Sequence, residues 1–285
     1  MTTHPMPRPM ATRRPRIALL GEFSAGKSTL ANLLLGQDLS PVRVTATQMP
    51  PVWYRHGADS LTRIDVSGTE ETLDQNDLHG ISHRDTQAVR VALEADVLEV
   101  CDLIDMPGTS DPNLQQAVWD RMIRWVDGAI WCTPATQAWR QSEAALWDQM
   151  PPHLHDNSLL LITRMDKLQT EVDRSRVVAR VRRETEGLFC HALPISLTEA
   201  LADPDNPDAL DRSGADQFVG ALVDLIEALG APDEDDPSIL FDALPVPRSP
   251  GPVVRDADGP NCDRVVPRRV APKPETARRS NLRMI

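Results

Sequence analysis

Apolar residues along the chain fall into two alternating patterns. Short unbroken runs, such as Arg16-Ile-Ala-Leu-Leu20, Val100 to Ile104, Ala129 to Thr133 and Ser158 to Thr163, have the length and continuity of strands buried on both faces. Between them the apolar residues space out at helical intervals. Leu30, Leu33 and Leu34 predict a helix from Lys27 that stops at Gly36. Further helices are predicted over 112–125, 140–149 and 170–188. A last amphipathic helix over 214–229 carries Phe218, Leu222, Leu225, Ile226 and Leu229 on one face. Additional strand-like stretches lie near 51–55, 61–66, 88–94 and 192–196. Strands alternating with helices predict an α/β fold of three layers around a mostly parallel central sheet. No internal repeat interrupts this order.

Composition sets the domain limits. Residues 1–15 are rich in Pro and Arg and predict a disordered basic N-terminus, and residues 16–231 make one folded domain. Residues 199–242 hold thirteen acids and one Arg, and their Ala-Asp-Pro clusters predict a solvated loop before the last helix. Residues 232–285 turn acidic, then basic and Pro-rich, with eight prolines between 245 and 274. Such a stretch buries too little apolar surface to offset chain entropy and is expected to be mostly disordered. The net charge of −12 is uneven: residues 1–16 carry +4 and 245–285 carry +5, leaving −21 between them. An acidic body excludes wrapping nucleic acid with the whole surface, so no nucleic-acid partner is expected. Cys101, Cys132, Cys190 and Cys262 form no CxxC pair, which argues against zinc or a disulfide framework; three of them sit in apolar strand-like runs and are expected as buried inert thiols. No apolar run approaches a membrane span and no signal peptide is present, so a cytoplasmic protein is expected.

The chemistry begins directly after the first strand. Residues 21–28 read Gly-Glu-Phe-Ser-Ala-Gly-Lys-Ser, followed by Thr29. This is the GxxxxGK[ST] phosphate-binding loop in its required setting between a strand and a helix. Gly21 and Gly26 let backbone N–H groups approach a polyphosphate, and the helix start adds its positive end. Lys27 is expected on the β and γ phosphates and the Ser28 hydroxyl on magnesium. Residues 105–108, Asp-Met-Pro-Gly, end an apolar run as a DxxG motif. Asp105 would hold magnesium, and the Gly108 N–H would sense the γ-phosphate. Residues 163–167, Thr-Arg-Met-Asp-Lys, end another. Asp166 can accept two hydrogen bonds from guanine N1 and N2 while the Arg164 stem covers the base, a donor pair that adenine lacks. Ser196 closes the last strand and could bring its N–H to guanine O6. Each motif sits at the C-terminal end of a predicted strand, where α/β sheets bind ligands. The expected architecture is therefore the P-loop NTPase fold of the GTPase type.

These motifs resemble the GTPase domain of the dynamin-like proteins, above all the bacterial ones, over roughly residues 16–230. The specific marks are the Ser-Ala-Gly-Lys-Ser form of the loop and a T-[KR]-x-D guanine motif. The resemblance implies GTP as substrate, Mg2+ held by Ser28, Thr47 and Asp105, and Ser24, Lys27 and Thr47 as catalytic residues. Thr45 is the other candidate for the switch threonine; one sequence does not separate the two, and Thr47 is preferred. The nucleotide contacts it implies run over Gly21 to Thr29, Asp105, Gly108, Thr163, Arg164, Asp166, Lys167 and Ser196. Two departures follow. Phe23 stands where animal members keep a Gln, and Thr109 follows Gly108 where Ras-like GTPases place a Gln. Hydrolysis is therefore expected to be slow alone, or to depend on dimerisation, a partner, or K+ or Na+ near Ser24. After residue 230 the chain offers only a tail, which is not expected to build the family's helical stalk. A nucleotide-dependent homodimer or a larger dynamin-like partner is the implied association. The basic tail is a candidate contact for anionic lipid, giving a cytoplasmic protein peripheral at the inner membrane.

Two other classes stay open from the sequence: a catalytically weak GTP-binding regulatory subunit, and an ATP-using P-loop enzyme. His79 and His83 are spaced as a metal pair but lack a third ligand in register, so a solvated loop is expected. Trp119, Trp125, Trp131, Trp139 and Trp147 are expected mainly as packing, with one or two available for a surface between two domains. The arginines of 170–188 read as a solvated helix face.

Overall fold

A computed structural model describes residues 13–37, 50–74, 81–82, 85–109 and 116–230. Thr45 and Thr47, the histidine pair, most of the N-terminal arm and the basic tail all lie outside the described residues. A nine-stranded sheet runs through the described domain. Its strands are β1 (Arg16–Gly21), β2 (Val52–His56), β3 (Ser60–Asp65), β4 (Glu70–Thr72), β5 (Thr86–Leu93), β6 (Asp102–Asp105), β7 (Gly128–Pro134), β8 (Ser158–Thr163) and β9 (His191–Pro194). They are ordered β4-β3-β5-β2-β6-β1-β7-β8-β9. From β6 to β9 every pairing is parallel, and the antiparallel pairings are confined to the β4–β6 side.

The helices cover both faces. They are α1 (Lys27–Leu35), α2 (Asp96–Val100), α3 (Gln116–Ile123), α4 (Gln141–Trp147), α5 (Pro152–His155), α6 (Glu171–Glu184), α7 (Leu197–Ala202), α8 (Pro207–Ser213) and α9 (Ala215–Leu229). Strand β1 shows why its sequence is apolar without alternation: all six residues are buried. Ile17 and Leu19 join the core under α1, α7 and α9, whereas Ala18 and Leu20 join the core under α3, α4 and α6. Truncating a side chain from either core, such as Leu30 or Phe218 at 0% exposure, would cost about 3–5 kcal/mol.

The structure corrects several expectations. The acidic stretch after 199 is not simply a loop before the last helix. Asn206 accepts the Asp208 N–H at 3.1 Å and Pro207 opens the turn, a cap-and-proline start. This produces α8, while Ser196 caps α7. Arg13, placed by the sequence in the N-terminal arm, binds both Asp127 carboxylate oxygens at 2.6 and 2.8 Å. All five tryptophans from Trp119 to Trp147 are buried, so none offers the domain–domain surface entertained for one or two of them. Trp131 stands edge-on to Trp139 and Trp147, at 6.2 and 5.6 Å between centroids. Cys101 and Cys132 are buried, and burial pushes both thiols up to about 12. Cys190 is exposed, contrary to the buried reading.

Candidate functional site

The loop from Gly21 to Ser28 leaves the C-terminal end of β1 and runs into α1. Gly21 has φ 132, and a β-carbon there would lie 2.2 Å from the Cys132 carbonyl oxygen of β7. No larger residue fits, since the turn needs both the backbone angle and the close approach. Gly26 also has positive φ, 99, and Ser24 adopts a left-handed φ of 59 despite its side chain. Ala25 is buried, whereas Phe23, Ser24 and Ser28 face solvent. Phe23 is 77% exposed, a large apolar side chain at the lip of the loop.

Lys27 is buried and donates to the carbonyls of Gly21 at 2.9 Å and Glu22 at 2.8 Å. Burial holds its ammonium below the ordinary lysine value, while the Asp105 charge works the other way. Ser28 and Thr29 occupy the first turn of α1. Asp105 closes β6 directly opposite Leu19 of β1, which brings its carboxylate toward the lysine. The DxxG segment then crosses the loop: the Thr109 N–H donates to Gly21 O at 3.2 Å, and Gly108 packs on the Phe23 backbone.

The third motif reaches the same C-terminal strand ends through β8. The Thr163 hydroxyl is buried and donates to Ala25 O at 2.6 Å, so it ties the strand to the phosphate loop rather than pointing at a base. Arg164 is exposed with a left-handed φ of 58. Asp166 is half-buried. Burial would raise its carboxyl, but the Lys167 hydrogen bond and charge, with Ser196, outweigh that and hold it below the usual carboxylate range. Lys167 Nζ lies 3.1 Å from Asp166 Oδ2, and the Ser196 hydroxyl lies 3.4 Å from Oδ1. The Ser196 N–H, expected to face guanine O6, donates instead to Ser213 O at 2.8 Å. Ser196 therefore reaches the site through its hydroxyl.

The Glu22 side chain turns to the start of a neighbouring helix. Its carboxylate accepts from Arg140 Nη1 at 3.0 Å and from the Ser142 hydroxyl at 2.9 Å, both at the start of α4. Arg140, Ser142 and the buried Glu143 were missed from sequence. Their only trace was an acid three residues after Arg140 at a helix start. Ser28 and Asp105 supply a hydroxyl and a carboxylate, the hard oxygen donors that suit magnesium. Among the described residues no cluster of three His, Cys, Asp or Glu could hold a metal by itself, so a metal here would need donors such as Ser28 and a phosphate as well.

Comparison with known proteins agrees with this geometry. The model of the Dynamin family matches residues 17–165. Dynamin-like protein 2 of Campylobacter jejuni is 25% identical over 162 residues, covering 54% of this chain and 26% of that protein. The isoniazid-induced protein IniC of Mycobacterium tuberculosis is 34% identical over 103 residues, covering 33% of this chain and 21% of that protein. The matched part thus spans about a quarter of the length of these curated relatives. Among solved structures, an oligomerised bacterial dynamin pair, described as providing a mechanism for long-range sensing and tethering of membranes, shares the fold. It has a TM-score of 0.55 at 20% identity, over 81% of this chain and 35% of that one.

Proposed function

The chain belongs to the dynamin family, carrying its P-loop GTPase domain, and from that premise we propose that it binds GTP with magnesium and switches conformation on hydrolysis to GDP. The observation that carries the reading is the meeting of three motifs at the C-terminal ends of β1, β6 and β8. Lys27 is held by loop carbonyls, Thr109 and Gly108 lie on that loop, and Thr163 fastens the Asp166 motif to it. In this reading Lys27 pairs the β and γ phosphates, and Ser28, Asp105 and Thr47 hold magnesium. Bound there, the ion neutralises phosphate charge. Asp166, kept ionised by Lys167 and Ser196, accepts from guanine N1 and N2, with the exposed Arg164 stem over the base. A monovalent cation beside the left-handed Ser24 belongs to the same proposal.

Hydrolysis by the isolated chain is proposed to be slow. Phe23 has no group that can orient water. Pairing with a second copy or a larger dynamin-like protein supplies the missing acceleration, and the basic residues of 245–285 supply contact with anionic lipid at the inner face of a membrane. The exposure of Phe23 favours one second reading, a GTP-binding subunit that switches without appreciable turnover of its own. Single-turnover phosphate release from GTP, in potassium and magnesium, decides between them. Release that Lys27→Ala abolishes supports the enzyme. Tight binding without release supports the subunit. No binding of GTP overturns both.

A further inference from the structure

A chain of polar contacts runs from the buried core to the phosphate loop. Glu143 of α4 is 1% exposed and accepts three hydrogen bonds at 3.0 Å, from Trp131 Nε1, the Thr133 hydroxyl and the Arg140 N–H. The Thr133 hydroxyl in turn accepts the Trp139 N–H at 2.9 Å. Trp139 sits at φ 56, a left-handed conformation that a bulky residue keeps only where its surroundings over-determine it. The guanidinium of Arg140, fixed at its own backbone by Glu143, reaches Glu22, and Ser142 takes the other carboxylate oxygen. Both oxygens of Glu22 are thereby held. Glu22 is the first residue past β1, beyond the ladder with β7 that ends at Gly21, so its peptide leaves the sheet for a turn in which its carbonyl accepts the Ala25 N–H at 3.2 Å. Its carbonyl is one of the two that hold Lys27 Nζ.

We infer that Glu22 and Arg140 are a positioning pair: clamped by the α4 start, the Glu22 side chain sets the carbonyl that aims Lys27 at the terminal phosphates. The inference rests on the nucleotide reading above. Neither residue touches nucleotide in this role. Glu22 acts through its own main chain, and Arg140 acts through Glu22. The pair also makes the start of α4 part of the nucleotide site mechanically, because a shift of Arg140 releases the loop. A hydrogen-bonded charge pair with each partner 14% and 44% exposed couples more strongly than an open surface pair, yet its loss leaves no unpaired charge deep in the core.

Binding of fluorescent GDP and of a non-hydrolysable GTP analogue, in magnesium, tests this in the full chain. Glu22→Ala and Arg140→Ala should each lower the preference for the triphosphate analogue over GDP by about fivefold. The double variant should be no worse than the poorer single one, and Arg140→Lys, which keeps a cation for Glu22, should retain most of the preference. Melting temperatures measured alongside separate a loss of fold from a loss of aim. Additive losses, an unchanged preference in both single variants, or a fall in turnover with Arg140→Ala at unchanged triphosphate affinity would each overturn the pair. The last result would place Arg140 on the reacting phosphate instead. A wild-type chain that binds neither nucleotide overturns the underlying reading as well, whereas a chain that binds both but ignores Glu22 overturns this inference alone.

Discussion

A β-carbon on Gly108 would lie 2.9 Å from both the Cα and the amide nitrogen of Phe23. The DxxG segment and the phosphate loop are therefore in backbone contact, and the Thr109 N–H bond to Gly21 O fastens them a residue further on. In the proposed switch, loss of the γ-phosphate is felt where these two segments touch. Gly108→Ala must push them apart, since the obstructing atoms are main chain and cannot rotate away. A stability loss of about 1–3 kcal/mol is expected, with the triphosphate analogue weakened more than GDP. Titration calorimetry with both nucleotides checks it, and an unchanged ratio would contradict the contact's role.

Thr163 makes a second tie, from β8 to Ala25 O at 2.6 Å. Thr163→Val keeps the shape but removes the donor, leaving a buried carbonyl short of one partner. The expected cost is about 1–3 kcal/mol of stability, read from urea unfolding. GTP and ATP affinities should fall together, because the tie serves the phosphate loop rather than the base. A selective loss of GTP would instead put the hydroxyl on the base.

The lowered pKa of Asp166 gives a pH expectation. A carboxyl held below its ordinary value is ionised throughout the neutral and mildly acidic range. Any binding or stability it contributes is present above that ordinary value and is lost only as pH falls through the lower folded value. Between about pH 5 and 8 the guanine preference should show no titration from this group. A wild-type midpoint near pH 6 that disappears in Asp166→Asn would show that the Lys167 and Ser196 contacts do not hold the carboxylate ionised.

Phe23 faces solvent at the loop lip. Phe23→Gln puts an amide that can orient water in its place and removes no core packing. Turnover by the isolated chain is expected to rise about tenfold, less than the roughly hundredfold or more that a positioned acid–base group contributes. Steady-state phosphate release measures it. A rate that does not change would assign the slow step to something other than water placement.

The strands that carry the site were legible because burial on both faces makes them continuously apolar, as in β1 and β8, whose residues are all buried. The loop, Asp105 and Asp166 were legible because short motifs at strand ends have few alternatives. The main-chain bonding of Ser196 was not, since the Ser213 carbonyl that takes its N–H is brought there by the fold of α8. The side-chain bonding of Glu22 was hidden for a related reason. Its side-chain partners lie 118 and 120 residues away, and no local pattern predicts such pairs. Helices α7 and α8, at the start of the acidic stretch, were hidden by composition, although the Asn206-Pro207 start was visible in the letters.

Base choice at Asp166 tests the central claim most directly. Competition binding with GTP, ATP and xanthosine triphosphate should be run on the wild-type chain and on Asp166→Asn. Xanthine carries an oxygen where guanine carries its N2 amine, so an amide at 166 can donate to it where the carboxylate cannot. The wild type is expected to prefer GTP over ATP by about a hundredfold or more, and Asp166→Asn to lose GTP and gain xanthosine triphosphate. Equal binding of GTP and ATP by the wild type, with no change in Asp166→Asn, would contradict the assignment of this domain as a guanine-reading switch.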